Sequence, residues 1–240
     1  MHPKNLCAVA AAAALPLAFP AVAPAQPPPP APALPVVIPL APLNGTVSTG
    51  TATLTPNPDG SLRVQINASG LVPNAPHAQH IHGGFEGRDF VCPLPPADTD
   101  GNGFISVEEG LPSYGPVQIA LTTQGDTSAA SGLALERFPV ADETGRVLYD
   151  RTLAAAELPD RTIELLANQT VVQHGVDVDN NGSYNLDTVL GESTFAQSKG
   201  LQGLPAEATL PANCGVAPGA AATAAAGGVA SGDGSTGGGS

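Results

Sequence analysis

Apolar side chains recur at every second position in several short runs of this chain, a period that belongs to strands with one buried face. Leu62, Val64 and Ile66 alternate with polar partners, as do Val117, Ile119 and Leu121, then Leu133 with Leu135, and Ile163 with Leu165. Turn signals separate these runs, among them Asn57-Pro58-Asp59-Gly60, Thr123-Gln124-Gly125-Asp126 and Asp142-Glu143-Thr144-Gly145. Only Thr152 to Glu157 reads as helical. Short alternating strands punctuated by Gly and Pro predict an all-β domain, an antiparallel sandwich or barrel.

The two ends have a different character. Lys4, an apolar run from Leu6 to Ala23 and the small residues Ala23-Pro24-Ala25 read as a secretory signal over residues 1–25. Leu6 ahead of Cys7 does not suit lipidation, and Pro16 and Pro20 argue against a spanning helix, so no membrane insertion is expected after cleavage. Residues 26–43 open with Pro27 to Pro30 and predict an extended polyproline spacer. Residues 217–240 are mostly Gly, Ala and Ser, too poor in apolar area to order themselves. The folded domain is expected over residues 44–216, in a secreted or extracytoplasmic setting.

Without Lys4 the chain keeps seven basic residues against 21 acidic ones, a net charge of about −14. Nucleic acid and anionic lipid would be repelled, whereas cations are attracted. There is no tryptophan to stack on sugars or bases, no Gly-x-Ser-x-Gly elbow and no phosphate-binding Gly-rich loop followed by Lys. Metal ions are the expected partners, and no protein partner is named by the sequence. After export two cysteines remain, Cys92 and Cys214. In an oxidising compartment they can form a disulfide, and the chain-entropy argument credits so long a loop with roughly 4 to 5 kcal/mol. A cysteine pair in a metal site is the alternative, though the short spacing of metal knuckles is missing.

Residues 98 to 109, Asp-Thr-Asp-Gly-Asn-Gly-Phe-Ile-Ser-Val-Glu-Glu, place an oxygen at each slot of an EF-hand calcium loop. Asp98, Asp100 and Asn102 take positions one, three and five, and Gly103 takes the turn at six. Phe104 offers its carbonyl, Ser106 binds directly or through water, and Glu109 closes the shell. The flanks are not those of an EF-hand. Pro93, Pro95 and Pro96 forbid a long entering helix, and Gly110 and Pro112 should stop the exiting one within about a turn. A structural calcium site is expected, with the weak affinity of extracellular modules, roughly 0.1 to 1 mM. A second candidate holds Asp177, Asp179, Asn181, Ser183 and Asn185 but reaches Thr188 at position twelve, so its closing carboxylate is missing unless Asp187 substitutes.

The histidines form another cluster. On a strand, His80 and His82 project from one face about 7 Å apart, with Ile81 turned to the core. His174 ends another strand-like run, Val171-Val172-Gln173-His174. Such imidazoles either hold one metal or lie hydrogen-bonded on a sheet face.

The stretch Gly70-Leu-Val-Pro-Asn-Ala-Pro-His77-Ala-Gln-His80-Ile-His82-Gly resembles the copper-binding strand of the Cu/Zn superoxide dismutases, and resembles more closely the chordin-type (CHRD) domain. Thr170-Val-Val-Gln-His174-Gly resembles the dismutase segment with the last copper ligand, and Asn213-Cys214-Gly-Val resembles its C-terminal cysteine. The resemblance implies a Greek-key β-sandwich, copper ligation by His80, His82 and His174, a structural role for His77 and a Cys92–Cys214 disulfide. Where the dismutases have a bridging histidine and a zinc cluster, this chain has neither, and Pro211-Ala212-Asn213 stands where they carry an anion-attracting arginine. What it implies is a metal-binding CHRD-type domain, with calcium and copper as candidate ions. The alternative is a copper-dependent superoxide dismutase with a reduced, zinc-free site.

Overall fold

A computed structural model describes residues 34–84 and 88–218. The signal segment, the first part of the spacer and most of the Gly/Ala tail lie outside the described residues.

Among the described residues, eight strands form one antiparallel, strongly curled sheet: β1 (Val36–Pro42), β2 (Thr49–Pro56), β3 (Leu62–Ser69), β4 (Gln79–His82), β5 (Val117–Ala120), β6 (Val147–Leu153), β7 (Thr170–His174) and β8 (Pro211–Val216). Their spatial order is β5-β4-β7-β8-β1-β2-β3-β6. The chain leaves β3, makes the β4–β5 pair elsewhere and returns as β6 beside β3. It then goes back as β7 beside β4, a Greek-key path. One core packs Ile38, Leu54, Ile66 and Tyr149 from one half of the sheet with Ile81, Ile119, Val171 and Ala212 from the other. The architecture is therefore a β-sandwich, as the alternation predicts.

In β3 the alternation is plain, with Leu62, Val64, Ile66 and Ala68 buried and their neighbours more open. Strand β1 corrects the sequence reading. Val36 to Pro42, assigned to the polyproline spacer, pairs with both β2 and β8 and buries Ile38 and Leu40. Its outward residues Val37, Pro39 and Ala41 are apolar too, so nothing in the composition distinguishes its two faces.

Three further expectations fail. Leu133 lies between 3₁₀ turns at Ala129–Ser131 and Leu135–Arg137, where Arg137 and the Ser128 and Ser131 hydroxyls converge on Asp126. Ile163 and Leu165 lie in a run of turns ahead of the 3₁₀ turn Leu166–Asn168. Two alternating residues are too short a signal to outweigh such local polar bonding. Thr152 and Leu153 finish β6, and only Ala155–Glu157 coils, as a 3₁₀ turn closed by Glu157 on the Ala154 N–H.

Strands β4 and β7 are buried on both faces. Gln79, Ile81, Val171 and Gln173 face the interior. The outward face is roofed by helices α1 (Val107–Tyr114), α2 (Thr194–Ser198) and α3 (Ala206–Thr209) and the loops around them. Helix α1 runs through Gly110 and Pro112 for eight residues, longer than the single turn expected. Ser106 and Glu109 form a capping box at its start, and Tyr114, fully buried, packs near Val172 and Cys214 at its end. That packing outweighs the hydrogen bond Pro112 cannot make. Cys92 and Cys214 are joined in a disulfide, which ties β8 to the segment that leads into the first acidic loop.

Candidate metal centre

The register of β4 against β7 sets His80 opposite Val172 and His82 opposite Thr170, so both imidazoles project from the outward face. The pairing shifts between Gln173 and His174 where β7 meets β8, and His174 joins them. The ring centroids lie 5.3 Å (His80–His82), 5.1 Å (His80–His174) and 6.1 Å (His82–His174) apart. One nitrogen from each ring falls within 4.8 Å of the others.

Each ring spends its other nitrogen on a backbone carbonyl. His80 Nε2–H donates to Gly132 O at 3.0 Å, His82 Nδ1–H to Gly115 O at 2.8 Å and His174 Nδ1–H to Thr209 O at 2.6 Å. A carbonyl accepts only, so these bonds assign the tautomers. Lone pairs remain on His80 Nδ1, His82 Nε2 and His174 Nε2, all buried and without a partner. Burial, with smaller contributions from the neighbouring imidazoles, holds His80 well below the usual histidine range. Burial first, then the His174 charge, lowers His82 to about 3. His174 is lowered to about 4, chiefly by burial. Three neutral, convergent, orphaned nitrogens with their rings fixed by carbonyls are what a borderline transition ion requires of an imidazole site. His77, also buried, contacts the His174 carbonyl at 2.8 Å and the Val72 carbonyl at 3.0 Å, and so steadies the backbone under His174.

On the opposite face of the same strands runs a buried polar ladder. Gln173 Nε2 donates to Gln79 Oε1 at 3.0 Å, and Asn213 Nδ2 donates to Gln173 Oε1 at 2.8 Å and to Ser48 Oγ at 2.7 Å. It fixes the register of β4, β7 and β8 from beneath the histidines.

The first acidic loop is folded around its own side-chain oxygens. Asp98 accepts the N–H groups of Gly101 and Gly103, and Asn102 Oδ1 accepts that of Phe104. Gly103 adopts φ 92°, a left-handed value that disfavours side chains. Glu109 Oε1 accepts from Thr99 N (2.7 Å) and Oε2 from Ser106 N (2.9 Å). Burial alone would raise the Glu109 pKa, but the hydrogen bonds from Ser106 and Thr99 outweigh it and hold the group at about 2. Carboxylate oxygens of Asp98, Asp100 and Glu109 lie within 4.8 Å of one another.

The second loop repeats this arrangement and corrects the sequence reading at its closing position. Asp177 accepts from Asn181 N and Gly182 N, and Asn181 Oδ1 from Ser183 N. The oxygens that complete the set with Asp177 and Asp179 belong to Glu207 of α3, not to Asp187. Glu207 is fully buried, and its Oε1 accepts from Val178 N and its Oε2 from Asn185 N, both at 2.8 Å. No local motif signals it, because the residue comes from a separate segment of the chain.

Above the histidines opens a cavity of about 580 Å³. Its walls are mainly aliphatic, and Lys199 is the one charged residue among the described residues lining it. Arg88 stacks over the Phe90 ring, its Cζ 4.4 Å from the centroid.

No protein-family model matches the chain, and neither does any curated protein. Solved structures that align include a double mutant of a SOD-like protein from Bacillus subtilis, at 15% identity and TM-score 0.38 over 75% of this chain and 94% of that one. A mutant of Candida albicans superoxide dismutase 5 aligns at 15% identity and TM-score 0.35, over 76% of this chain and 88% of that one. Likeness at this level carries no argument about function, which rests on the site itself.

Proposed function

We propose that this chain is an exported metal-binding β-sandwich of the CHRD type, with a copper centre at His80, His82 and His174 and structural calcium in two acidic loops. The observation that carries the reading is the convergence of three buried, unpartnered nitrogens whose rings are locked to carbonyls. Imidazole suits copper as well as zinc, iron and nickel. The resemblance of the histidine segments to the dismutase copper strand favours copper. Held by His80, His82 and His174, copper would supply a redox-active ion at the floor of the cavity.

Calcium belongs to the loops because each assembles hard oxygen donors around a left-handed glycine and a closing glutamate. Export accords with the disulfide, which persists in an oxidising compartment.

The test is titration of metal-free protein with Cu(II), followed by calorimetry and electron paramagnetic resonance. One ion with nitrogen hyperfine structure is expected, and His82→Ala should abolish it. Copper binding that survives His82→Ala would refute the site.

A second reading, copper-dependent superoxide dismutation without zinc, draws support from Lys199, a cation on the wall of the cavity above the histidines. A superoxide assay on copper-loaded protein separates the two. Turnover no faster than that of copper-loaded His82→Ala leaves a binding domain.

A further inference from the structure

The cavity above the three histidines is built for a larger guest than a diatomic anion. Its volume of about 580 Å³ lies within the roughly 300 to 1,000 Å³ of small-molecule sites. Leu111 of α1, Val117 of β5, Leu133, and Phe195 and Leu201 at and beyond α2 give it carbon walls. On a chain of formal net charge −13, no carboxylate is found among the described residues that line it. The single charge among the described lining residues is the Lys199 ammonium, which sits 5.4 Å from the Phe195 ring centroid. Its floor is the imidazole cluster, with three lone pairs and no hydrogen-bond donor aimed at them.

Three kinds of surface therefore meet a guest: apolar sides, one cation and a metal-ligating floor. A carbon framework gains from the sides by leaving water. A negative head gains from Lys199, an exposed ammonium on the cavity wall, by a modest, salt-screened attraction. A cationic or strongly polar guest would have neither partner.

We propose that this cavity binds a small apolar organic anion, with its carbon body between α1 and α2 and its negative group at Lys199. The inference rests on the metal-centre reading for what lies at the floor, and it narrows the ligand class of that centre. Superoxide would satisfy Lys199 and leave the apolar walls unused.

The probe is 8-anilinonaphthalene-1-sulfonate, titrated by fluorescence into metal-free and copper-loaded full-length protein, beside the uncharged N-phenyl-1-naphthylamine. One saturable site is expected for the sulfonate dye, and at least about tenfold weaker binding for the neutral one. Lys199→Ala should bring the sulfonate dye down to the affinity of the neutral dye while copper stoichiometry stays at one. Ala129→Trp, an exposed position that lines the cavity, should block both dyes while circular dichroism and melting temperature remain those of the parent protein. Several weak sites, equal affinity for the two dyes, or binding that ignores both substitutions would overturn the proposal. Dye binding of the expected pattern in a protein that takes up no copper would support the cavity and remove the metal reading alone, so the two failures are distinguishable.

Discussion

Glu207 stands to the second acidic loop as Glu109 stands to the first. Each carboxylate accepts the N–H of the loop's second residue on one oxygen and of its ninth residue on the other: Thr99 and Ser106 for Glu109, Val178 and Asn185 for Glu207. Calcium added at about a hundred times its Kd should stabilise the fold by about 2.7 kcal/mol per site, or roughly 5 to 10 °C in melting temperature. Glu207→Gln should reduce calcium stoichiometry from two to one in equilibrium dialysis, and Glu109→Gln should remove the other ion. Two ions still bound to Glu207→Gln would show that the buried glutamate is no ligand.

Loss of the Cys92–Cys214 bridge should be costly, because it restrains a long loop in the unfolded chain. Replacing both cysteines by serine is expected to remove about 2 to 5 kcal/mol in urea denaturation. A change under about 1 kcal/mol would mean that the unfolded chain is already compact.

The Gln79–Gln173–Asn213 ladder holds the histidine strands in register from the core side. Gln173→Ala leaves the buried Gln79 oxygen without a donor and a cavity beside it, which should cost about 2 to 4 kcal/mol. Copper affinity should weaken as well, since His174 follows in the same strand. Unaltered stability with weakened copper binding would contradict this order of cause.

Acid should destabilise the fold through its turn aspartates. Hydroxyl and backbone hydrogen bonds from Thr144 and a backbone bond from Arg146 lower the Asp142 pKa, and a bond from the Ser61 hydroxyl, then its N–H, does the same at Asp59. A lowered folded pKa means that this stabilisation is complete above the ordinary aspartate value of about 3.9 and fades as pH falls through the folded values. Stability should therefore be level with respect to these groups from neutrality to about pH 5 and decline below about pH 4. Asp142→Ala should flatten part of that decline in acid titrations followed by circular dichroism. An unchanged acid limb would exclude the turn as its source.

Much of this was readable residue by residue. Alternation in Leu62 to Ile66 announces a half-buried strand whatever its surroundings, because side-chain direction is a local property of extended backbone. The clustering of Asp98, Asp100 and Glu109 is local for the same reason, since all three lie within twelve consecutive residues. Val36 to Pro42 was misread because both its faces are apolar, and Leu133 to Leu135 because hydrogen bonding around Asp126 outweighed a short pattern. Lys199 gave no signal, as a lone lysine near a short helix has no motif.

By itself the sequence determined the sheet period, the donor atoms available to cations and the pairing of two scarce cysteines. The resemblance of its segment already grouped His174 with the pair on β4; only the tertiary structure decided that α3 would deliver Glu207 to a loop it does not belong to, and that carbonyls of Gly115, Gly132 and Thr209 would turn three rings inward. The physical reason is range. Chain stereochemistry acts over a few residues, whereas a ligand shell depends on where the packing of distant segments sets them down.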